Sequence, residues 1–345
     1  MLKFCKSYAP MIALTLGMVL SAAVTANALA ADAVKLKVAT FTPPQAFLTK
    51  QIMVPWQEMV VADSQGTLSY KLFPGGVLGR SPAQQLKLVQ DGVADLALVV
   101  PDYTPGVFTP WSVVGIPGMF ETSKEASVAL QRALAQELID KPKGTEVLGV
   151  FSSGINYIHA KQAYGSLDDL TGQRIRVVGK AQAAAVTRLG GVPVSNIRAP
   201  QVAEALSRNT VDATVMDYLG LHGLRVKEVV SAHIDLPMGA VALIHVINED
   251  VWNRLPEPAK AAFQKHGGEA FSANAGDVFA KGIGRARGAL EKRDGEAFVN
   301  IDATVRAGFD TKLGDIHEAW IDGDDDLRNV HAGFENILAD IRAGR

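Results

Sequence analysis

The chain has 345 residues, of which 48% are hydrophobic and 20% are charged, with 34 basic and 36 acidic side chains. This composition is typical of an ordinary globular protein. The net charge of −2 argues against the strongly basic surface that nucleic-acid-binding proteins carry. We therefore expect no nucleic-acid partner.

Residues 1–30 have the pattern of a signal peptide. Lys3 and Lys6 form a basic start, an apolar run follows over residues 11–24, and the small residues of Ala28-Leu29-Ala30 suit cleavage near Ala30. A membrane anchor is the alternative, but this run is shorter than the ~20 residues that span a bilayer. The single cysteine, Cys5, precedes the run, so we expect an exported mature chain without disulfides.

The rest of the chain, about 315 residues, exceeds the size at which single cores stop growing, which favours two lobes. Its first part predicts alternating strands and helices: strands at 35–40, 68–73 and 94–101, and helices at 52–62 and 82–90. Ser81 is the expected cap of the second helix, and Gly92 is expected to end it in the left-handed conformation. This order predicts a parallel sheet covered by helices.

A similar unit recurs more than a hundred residues later. Residues 87–97 resemble residues 204–214, so that Asp95 matches Asp212 and Gly92 matches Asn209. Asparagine tolerates the left-handed conformation almost as glycine does. Chance similarity between two strand–helix–strand units is the alternative, but the echo favours two similar α/β lobes over one enlarged sheet.

Three segments are expected to join the lobes. An apolar strand at 147–151 enters a bend at Ser152-Ser153-Gly154, where glycine can absorb hinge rotation. A return crossing is expected at 240–246, and a helix over 258–293, more than ~45 Å long, is expected to brace both lobes. The predicted division is residues 31–153 plus 243–281 for the first lobe and residues 154–242 plus 282–345 for the second.

Catalytic and metal-binding motifs fail at specific positions. His317-Glu318 lacks the second histidine of a zinc-protease motif, because Ile321 stands there. The acidic stretch 322–326 resembles a calcium loop, but Leu327 occupies the place of its glycine. No nucleophile elbow or nucleotide-binding glycine motif occurs, and the histidines are scattered along the chain. We expect no enzyme activity, no metal and no cofactor.

The stretch QRIRVVG, residues 173–179, places two arginines on one face of a short strand. Arg174, at its start, is expected to be solvated. Arg176 lies near the carboxyl end, where open α/β sheets bind ligands. A salt bridge within the protein is one interpretation of Arg176, and the other is a guanidinium that awaits the carboxylate of a ligand.

In this order the motifs resemble the extracytoplasmic solute-binding proteins of TRAP transporters, of the dicarboxylate-binding DctP type. The resemblance covers nearly the whole mature chain. The segments that carry it are residues 73–79, 90–95, 170–177, 204–212 and 251–256.

The resemblance implies a type II-like periplasmic binding protein, in which two α/β lobes joined by crossing strands and a long helix close on an organic acid. It implies that Arg176 pairs with the ligand carboxylate, and that the ligand passes to the membrane permease subunits of a TRAP-type secondary transporter. We expect the protein to act in the periplasm as a monomer.

Two departures from the family pattern bear on the ligand. Asn156 stands where many members carry a second arginine, and Met216 and Asp217 fall in a segment where many carry a ligand-contacting asparagine. A second carboxylate would find less support, so a monocarboxylate with an apolar or aromatic body is favoured over a C4-dicarboxylate.

The remaining ligand contacts are expected in the loops after the first and third strands, at Phe41, Thr42, Gln45, Asp102 and Tyr103. The alternatives are a receptor for an ATP-driven transporter or a sensor kinase, and a secreted α/β enzyme.

Overall fold

The computed structural model describes residues 33–104 and 106–345, so the predicted signal peptide lies outside the described residues. The strands are β1 Val34–Ala39, β2 Leu68–Phe73, β3 Leu96–Val99, β4 Thr145–Ser152, β5 Tyr157–Ala160, β6 Arg174–Arg176, β7 Val192–Val194, β8 Ala213–Met216, β9 Ala232–Ile234, β10 Ala242–Asn248 and β11 Ala297–Phe298. The α-helices are α1 Val54–Asp63, α2 Gln85–Gln90, α3 Ser123–Ala135, α4 Gly179–Arg188, α5 Val202–Ser207, α6 Tyr218–Gly223, α7 Glu249–Arg254, α8 Glu257–Lys265, α9 Gly268–Leu290, α10 Ala303–Lys312, α11 Ile316–Ile321 and α12 Asp325–Arg342. Among the described helices, none combines the length and the apolar character needed to cross a membrane.

The strands form two sheets. The first has the order β2-β1-β3-β10-β4, and the second has the order β11-β9-β5-β8-β6-β7. In the first sheet β1 pairs in parallel with β2 and β3, and in the second sheet β6 pairs in parallel with β7 and β8. The strands β10 and β5 pair antiparallel with both of their neighbours. The α/β fold with two sheets is therefore confirmed.

Three connections run between the sheets: a helical one from β10 through α7, α8 and α9 to β11, and two short crossings. The first crossing leads from β4 to β5 and the second from β9 to β10. They lie side by side, because the Ser153 amide donates to the Val241 carbonyl at 2.8 Å and the Asn156 amide donates to the Gly239 carbonyl at 2.7 Å. The predicted crossings are confirmed, while the residue boundaries of the lobes stay a prediction.

The internal echo has a structural counterpart. The Asp95 carboxylate accepts a hydrogen bond from the Lys37 amide at 2.6 Å, and the Asp212 carboxylate accepts one from the Arg174 amide at 2.9 Å. Gly92 and Asn209, which end the preceding helices, have φ angles of 69° and 55°. Each aspartate thus ties its unit to the adjacent strand in the same way.

Two local predictions need correction. Arg174 is exposed but not simply solvated, because its Nη2 forms an ion pair with Asp212 Oδ1 at 2.8 Å. Ser81 makes no side-chain capping bond, because a 3₁₀ turn, Pro82–Gln84, precedes α2. Its extended backbone leads into the turn, and the Gln85 side chain bonds the Ser81 carbonyl at 3.2 Å instead.

The long helix predicted over 258–293 is wrong in its extent. It is divided into α8 and α9 around Gly267. A side chain at Gly267 would overlap the carbonyls of Leu148 and Phe263. The His266 carbonyl, freed at the break, accepts a hydrogen bond from Trp56 Nε1 at 2.8 Å, so the interruption leaves this group satisfied.

The helix α9 braces both sheets, as predicted. Its 23 residues span about 35 Å. Near its start, Ser272 Oγ donates to the Val150 carbonyl of β4 at 2.5 Å. Near its end, His222 of α6 bonds the Ala286 carbonyl at 3.1 Å, and Arg287 pairs with Asp235 at 2.8 Å.

Both crossings contain a glycine without room for a side chain. A Cβ at Gly154 would overlap the Ile283 side chain of α9. A Cβ at Gly239, whose φ is 77°, would overlap the carbonyl group of Gly115. Backbone atoms cannot yield as a flexible side chain can, so Gly239 is the more constrained of the two.

We expect Gly239→Ala to lower the free energy of unfolding by about 2 kcal/mol or more, because it adds a backbone overlap to an unfavourable φ. Gly284→Ala is the matched control, since a Cβ at this exposed glycine of α9 would meet no neighbour within 4 Å. It should stabilise the protein by about 0.5–1 kcal/mol. Urea titrations of both variants test this, and equal stabilities would contradict it.

Candidate functional site

A cavity of about 130 Å³ lies between the carboxyl ends of strands from the two sheets. We call it the central cavity. Its polar wall residues are Thr42, Tyr103, Ser153, Asn156, Arg176 and Asp217, and the others are Phe41, Ala46, Phe47, Leu48, Val100, Val178, Ala199, Val215, Met216, Leu219, Gly220, Gly223, Leu224, Val241, Leu243 and Phe279. The wall is mostly apolar with a few convergent polar groups, which is typical of small-molecule sites.

Arg176, the last residue of β6, is only 2% exposed. Its guanidinium donates to the carbonyls of Ile197 and Val215 at 3.0 and 3.3 Å and to the Tyr103 hydroxyl at 3.1 Å. Within the described part of the chain, no carboxylate lies within 4.0 Å of it. The three bonds use three of its five N–H groups, so the guanidinium is oriented but not neutralised.

Tyr103 contacts Arg176 from the opposite side of the cavity. It ends a 3₁₀ turn, Pro101–Tyr103, that follows β3. Its hydroxyl accepts hydrogen bonds from Arg176 and, at 3.2 Å, from the Ala199 amide. Both lone pairs are then occupied, and its proton remains for an acceptor in the cavity. The Arg198 guanidinium lies over the Tyr103 ring, 4.9 Å from the ring centre.

Asn156 is a buried amide in the first crossing, 3% exposed. Its backbone bonds Gly239 and Met238, but its Nδ2 has no hydrogen-bond partner among the described residues. Leaving a buried donor unsatisfied costs about 1–3 kcal/mol. A ligand oxygen at this place would remove that cost.

Asp217 follows β8 and caps α6. Its Oδ1 accepts from the Gly220 amide at 2.7 Å, and its Oδ2 accepts from the Gly154 amide at 3.2 Å. Burial raises the pKa of this carboxyl to about 6, and the backbone donors offset only part of that effect. Met216 lies beside it in the wall and occupies the space that a side chain at Gly220 would need.

The structure places the predicted loop residues in different surroundings. Phe41 and Thr42 line the central cavity, and Thr42 Oγ1 bonds the Thr49 hydroxyl at 2.7 Å. Gln45 is exposed and lines a separate groove near His222. Asp102 lines another cavity, where burial raises its carboxyl pKa to about 7.

The apolar wall contains residues that the sequence patterns did not single out. Phe47 and Phe279 meet edge to face, with ring centres 5.3 Å apart. Phe279 comes from α9, more than a hundred residues from Arg176 in sequence. Its only sequence signal is the helical periodicity of buried residues, which does not tell a cavity wall from the core.

The comparisons with known proteins agree with this geometry. The family model for DctP, bacterial extracellular solute-binding protein, family 7, matches residues 38–322. The chain belongs to this family. The predicted resemblance is thereby confirmed, and the family places the protein outside the cytoplasm as a receptor for small carboxylates that serves TRAP-type transporters.

Individual members of the family and solved structures show the same relationship. A marine metagenome TRAP solute-binding protein from an unidentified microbe, specific for aromatic acids, is 25% identical, with a TM-score of 0.82 over 89% of this chain and 99% of its own. A TRAP protein from Rhodoferax ferrireducens, solved with copurified benzoate, is 24% identical over 89% and 98% of the chains, with a TM-score of 0.82. A Comamonas testosteroni protein named outer membrane transporter protein TsaT is 26% identical over 66% of this chain and 69% of its own.

Two predictions about metal ligands in this DctP-family chain have different outcomes. The acidic stretch 322–326 begins as a turn, as predicted, but Asp325 and Asp326 already belong to α12, which Asp324 caps by accepting hydrogen bonds from the Asp326 and Leu327 amides. The expectation of no metal stays a prediction, but it overlooked side chains that meet in the fold. His317, His331 and Glu335, which are apart in sequence, come together between α11 and α12, away from the central cavity.

The raised pKa of Asp217 makes stability depend on pH. The folded protein holds a proton on this carboxyl up to about pH 6, whereas an unfolded aspartate loses it near pH 4. This group therefore lowers stability as pH rises from about 4 to about 6, by up to about 3 kcal/mol. Asp217→Asn retains a capping residue and should reduce that decline, as measured by urea unfolding across this range.

Asp212→Asn is the control, because Arg174 lowers the Asp212 pKa and its contribution changes only below about pH 4. This variant should keep the slope of the native protein between pH 4 and pH 6. An Asp217→Asn variant with the native slope would contradict the assignment.

Proposed function

We propose that the protein binds a monocarboxylate with a single aromatic ring in the central cavity and passes it unchanged to the permease subunits of a TRAP transporter. The observation that carries the proposal is the buried Arg176 guanidinium, which has no acidic partner within the described residues. A ligand carboxylate would accept its remaining N–H groups and the Tyr103 proton. Arg176 and Tyr103 would then both donate hydrogen bonds to the ligand carboxylate.

The size of the cavity supports a ligand of one ring. Apolar cavities of about 150 Å³ accept benzene, and the central cavity measures about 130 Å³. Phe41, Phe47 and Phe279 offer ring faces and edges to a flat apolar body. The Asn156 Nδ2 donor suits one oxygen substituent on that body.

The balance of charge disfavours a dicarboxylate. Arg176 is the one cationic side chain among the described wall residues, and Asp217 adds a carboxylate. A second ligand carboxylate would have to be buried without a cation, which costs several kcal/mol. The marine relative supports the same conclusion, since it was solved with metahydroxyphenylacetate and with 3-hydroxybenzoate, both of which are single-ring monocarboxylates.

The proposal also covers the oligomeric state, the lobe boundaries and the export of the protein. The ligand is released chemically unchanged, by a monomer without a cofactor. Residues 31–153 plus 243–281 and residues 154–242 plus 282–345 form the two lobes that close on it. Cleavage near Ala30 releases the mature protein into the periplasm.

Arg176→Ala should weaken binding of 3-hydroxybenzoate by about 30-fold or more, because truncating one partner of a buried ion pair costs about 2 kcal/mol or more. Arg174→Ala is the matched control, since it removes an arginine two residues away that pairs with Asp212 at the surface. It should leave affinity within about twofold of the native value. Isothermal titration calorimetry of both variants, with circular dichroism to verify folding, makes the comparison.

Native affinity in a folded Arg176→Ala variant would return Arg176 to a structural role.

A ligand panel tests the proposed substrate class. We expect benzoate and 3-hydroxybenzoate to bind, and succinate to bind at least about 100-fold more weakly, because its second carboxylate is buried without a cation. Calorimetry with the mature protein measures the affinities, and mass spectrometry of the recovered ligand checks that it is unchanged. Tight succinate binding would overturn the substrate class, and a chemically altered ligand would overturn the assignment as a receptor.

A further inference from the structure

We propose that His317, His331 and Glu335 form a binding site for a divalent transition-metal ion such as Zn²⁺, separate from the central cavity. One potential ligand atom from each residue lies within 4.8 Å of the other two. The site does not depend on the organic-acid ligand, so it stands or falls independently of the proposed function.

The three side chains come from two packed helices. His317 lies on α11, while His331 and Glu335 lie one turn apart on α12 and therefore share a face. His317 Nδ1 and His331 Nε2 are 2.6 Å apart, and His331 Nδ1 lies 3.8 Å from a Glu335 carboxylate oxygen. The first contact is a hydrogen bond between the two rings, and the second involves the other nitrogen of His331. Binding an ion would therefore replace the hydrogen bond and turn one nitrogen of each ring towards the ion.

The ligand set matches the chemistry of zinc. Zn²⁺ binds imidazole nitrogen and carboxylate oxygen at about 2.0–2.2 Å, so adjacent ligand atoms of a tetrahedral ion lie roughly 3.4 Å apart. The three potential ligand atoms lie within 4.8 Å of one another, so binding an ion requires them to adjust to this spacing. Two histidines and one glutamate leave the fourth position to water, and imidazole ligands favour Zn²⁺, Cu²⁺ or Ni²⁺ over Ca²⁺ and Mg²⁺.

The burial of the three side chains is compatible with binding an ion. His331 is 8% exposed and His317 is partly buried, which restricts both rings, while Glu335 is exposed and leaves a path for the ion. The nearby Glu318 is held by Arg328 at 3.1 Å.

The position of the site gives a bound ion a structural role. Arg188 of α4 pairs with Asp315, next to the start of α11, at 2.6 Å, and Arg342 of α12 pairs with Glu125 of α3 at 2.6 Å. The helix α4 begins three residues after Arg176. An ion that links α11 to α12 would therefore connect α4, which follows Arg176, to α3, which packs against β4.

The test uses the mature protein without an affinity tag, because a histidine tag binds the same metals. Calorimetry with ZnCl₂ should show one saturable site per chain, and CoCl₂ should give the visible absorption bands of a low-symmetry cobalt site. Zn²⁺ should also raise Tm. His317→Ala should weaken Zn²⁺ binding by about 100-fold or more, and the exposed Glu335→Gln by about 10-fold or more.

His266→Ala is the matched control, since it removes a histidine that pairs with Asp63 far from α11 in sequence. It should bind Zn²⁺ as the native protein does. The proposal is overturned by the absence of a saturable site, or by equal affinity in native, His317→Ala and Glu335→Gln proteins. Because Glu335 is exposed, its variant remains informative even where the histidine variant does not fold.

Discussion

The structure depends on a buried positive charge that the described protein does not neutralise. Two carbonyls and a phenol hold the Arg176 guanidinium in place, but none carries a formal negative charge. Burying a guanidinium without an anion is costly. Hydrogen bonds to Ile197, Val215 and Tyr103, which lie in three separate segments, offset part of that cost. The carboxylate of the proposed ligand would supply the negative charge that the described residues around Arg176 lack.

The same group connects the two sides of the cavity. Tyr103 follows β3 of the first sheet and Arg176 ends β6 of the second, so their hydrogen bond crosses the space between the sheets. A carboxylate that engages both donors would make contacts only in the closed arrangement, and it would shift the population of conformations towards that state. The paired crossings and α9 contact both sheets and would keep the two sides aligned during such a closure.

Sequence patterns predict which face of a strand a residue occupies and where a helix ends better than they predict which side chains meet in the fold. The period of two in β6 located Arg176, and the matched Gly92 and Asn209 located two helix ends, because backbone geometry restricts these positions locally. The break at Gly267 was missed because helical periodicity continues across it. Asp102 and Tyr103 are adjacent in one loop, yet only Tyr103 reaches the central cavity, since loop direction is set by tertiary packing. The histidine cluster was missed for the same reason.

The selectivity that we propose for the central cavity depends on Arg176 and also on the lack of a second cation among the described wall residues. The Asp217 carboxylate is occupied by the backbone donors of α6 and Gly154, so it orders the wall but offers nothing to an anion. Asn156 presents a neutral donor on the same wall. A second carboxylate therefore loses its hydration without gaining a cation, while an apolar body gains about 25 cal/mol for each Å² buried. Under the proposed function, the wall therefore discriminates mainly by penalising a dicarboxylate.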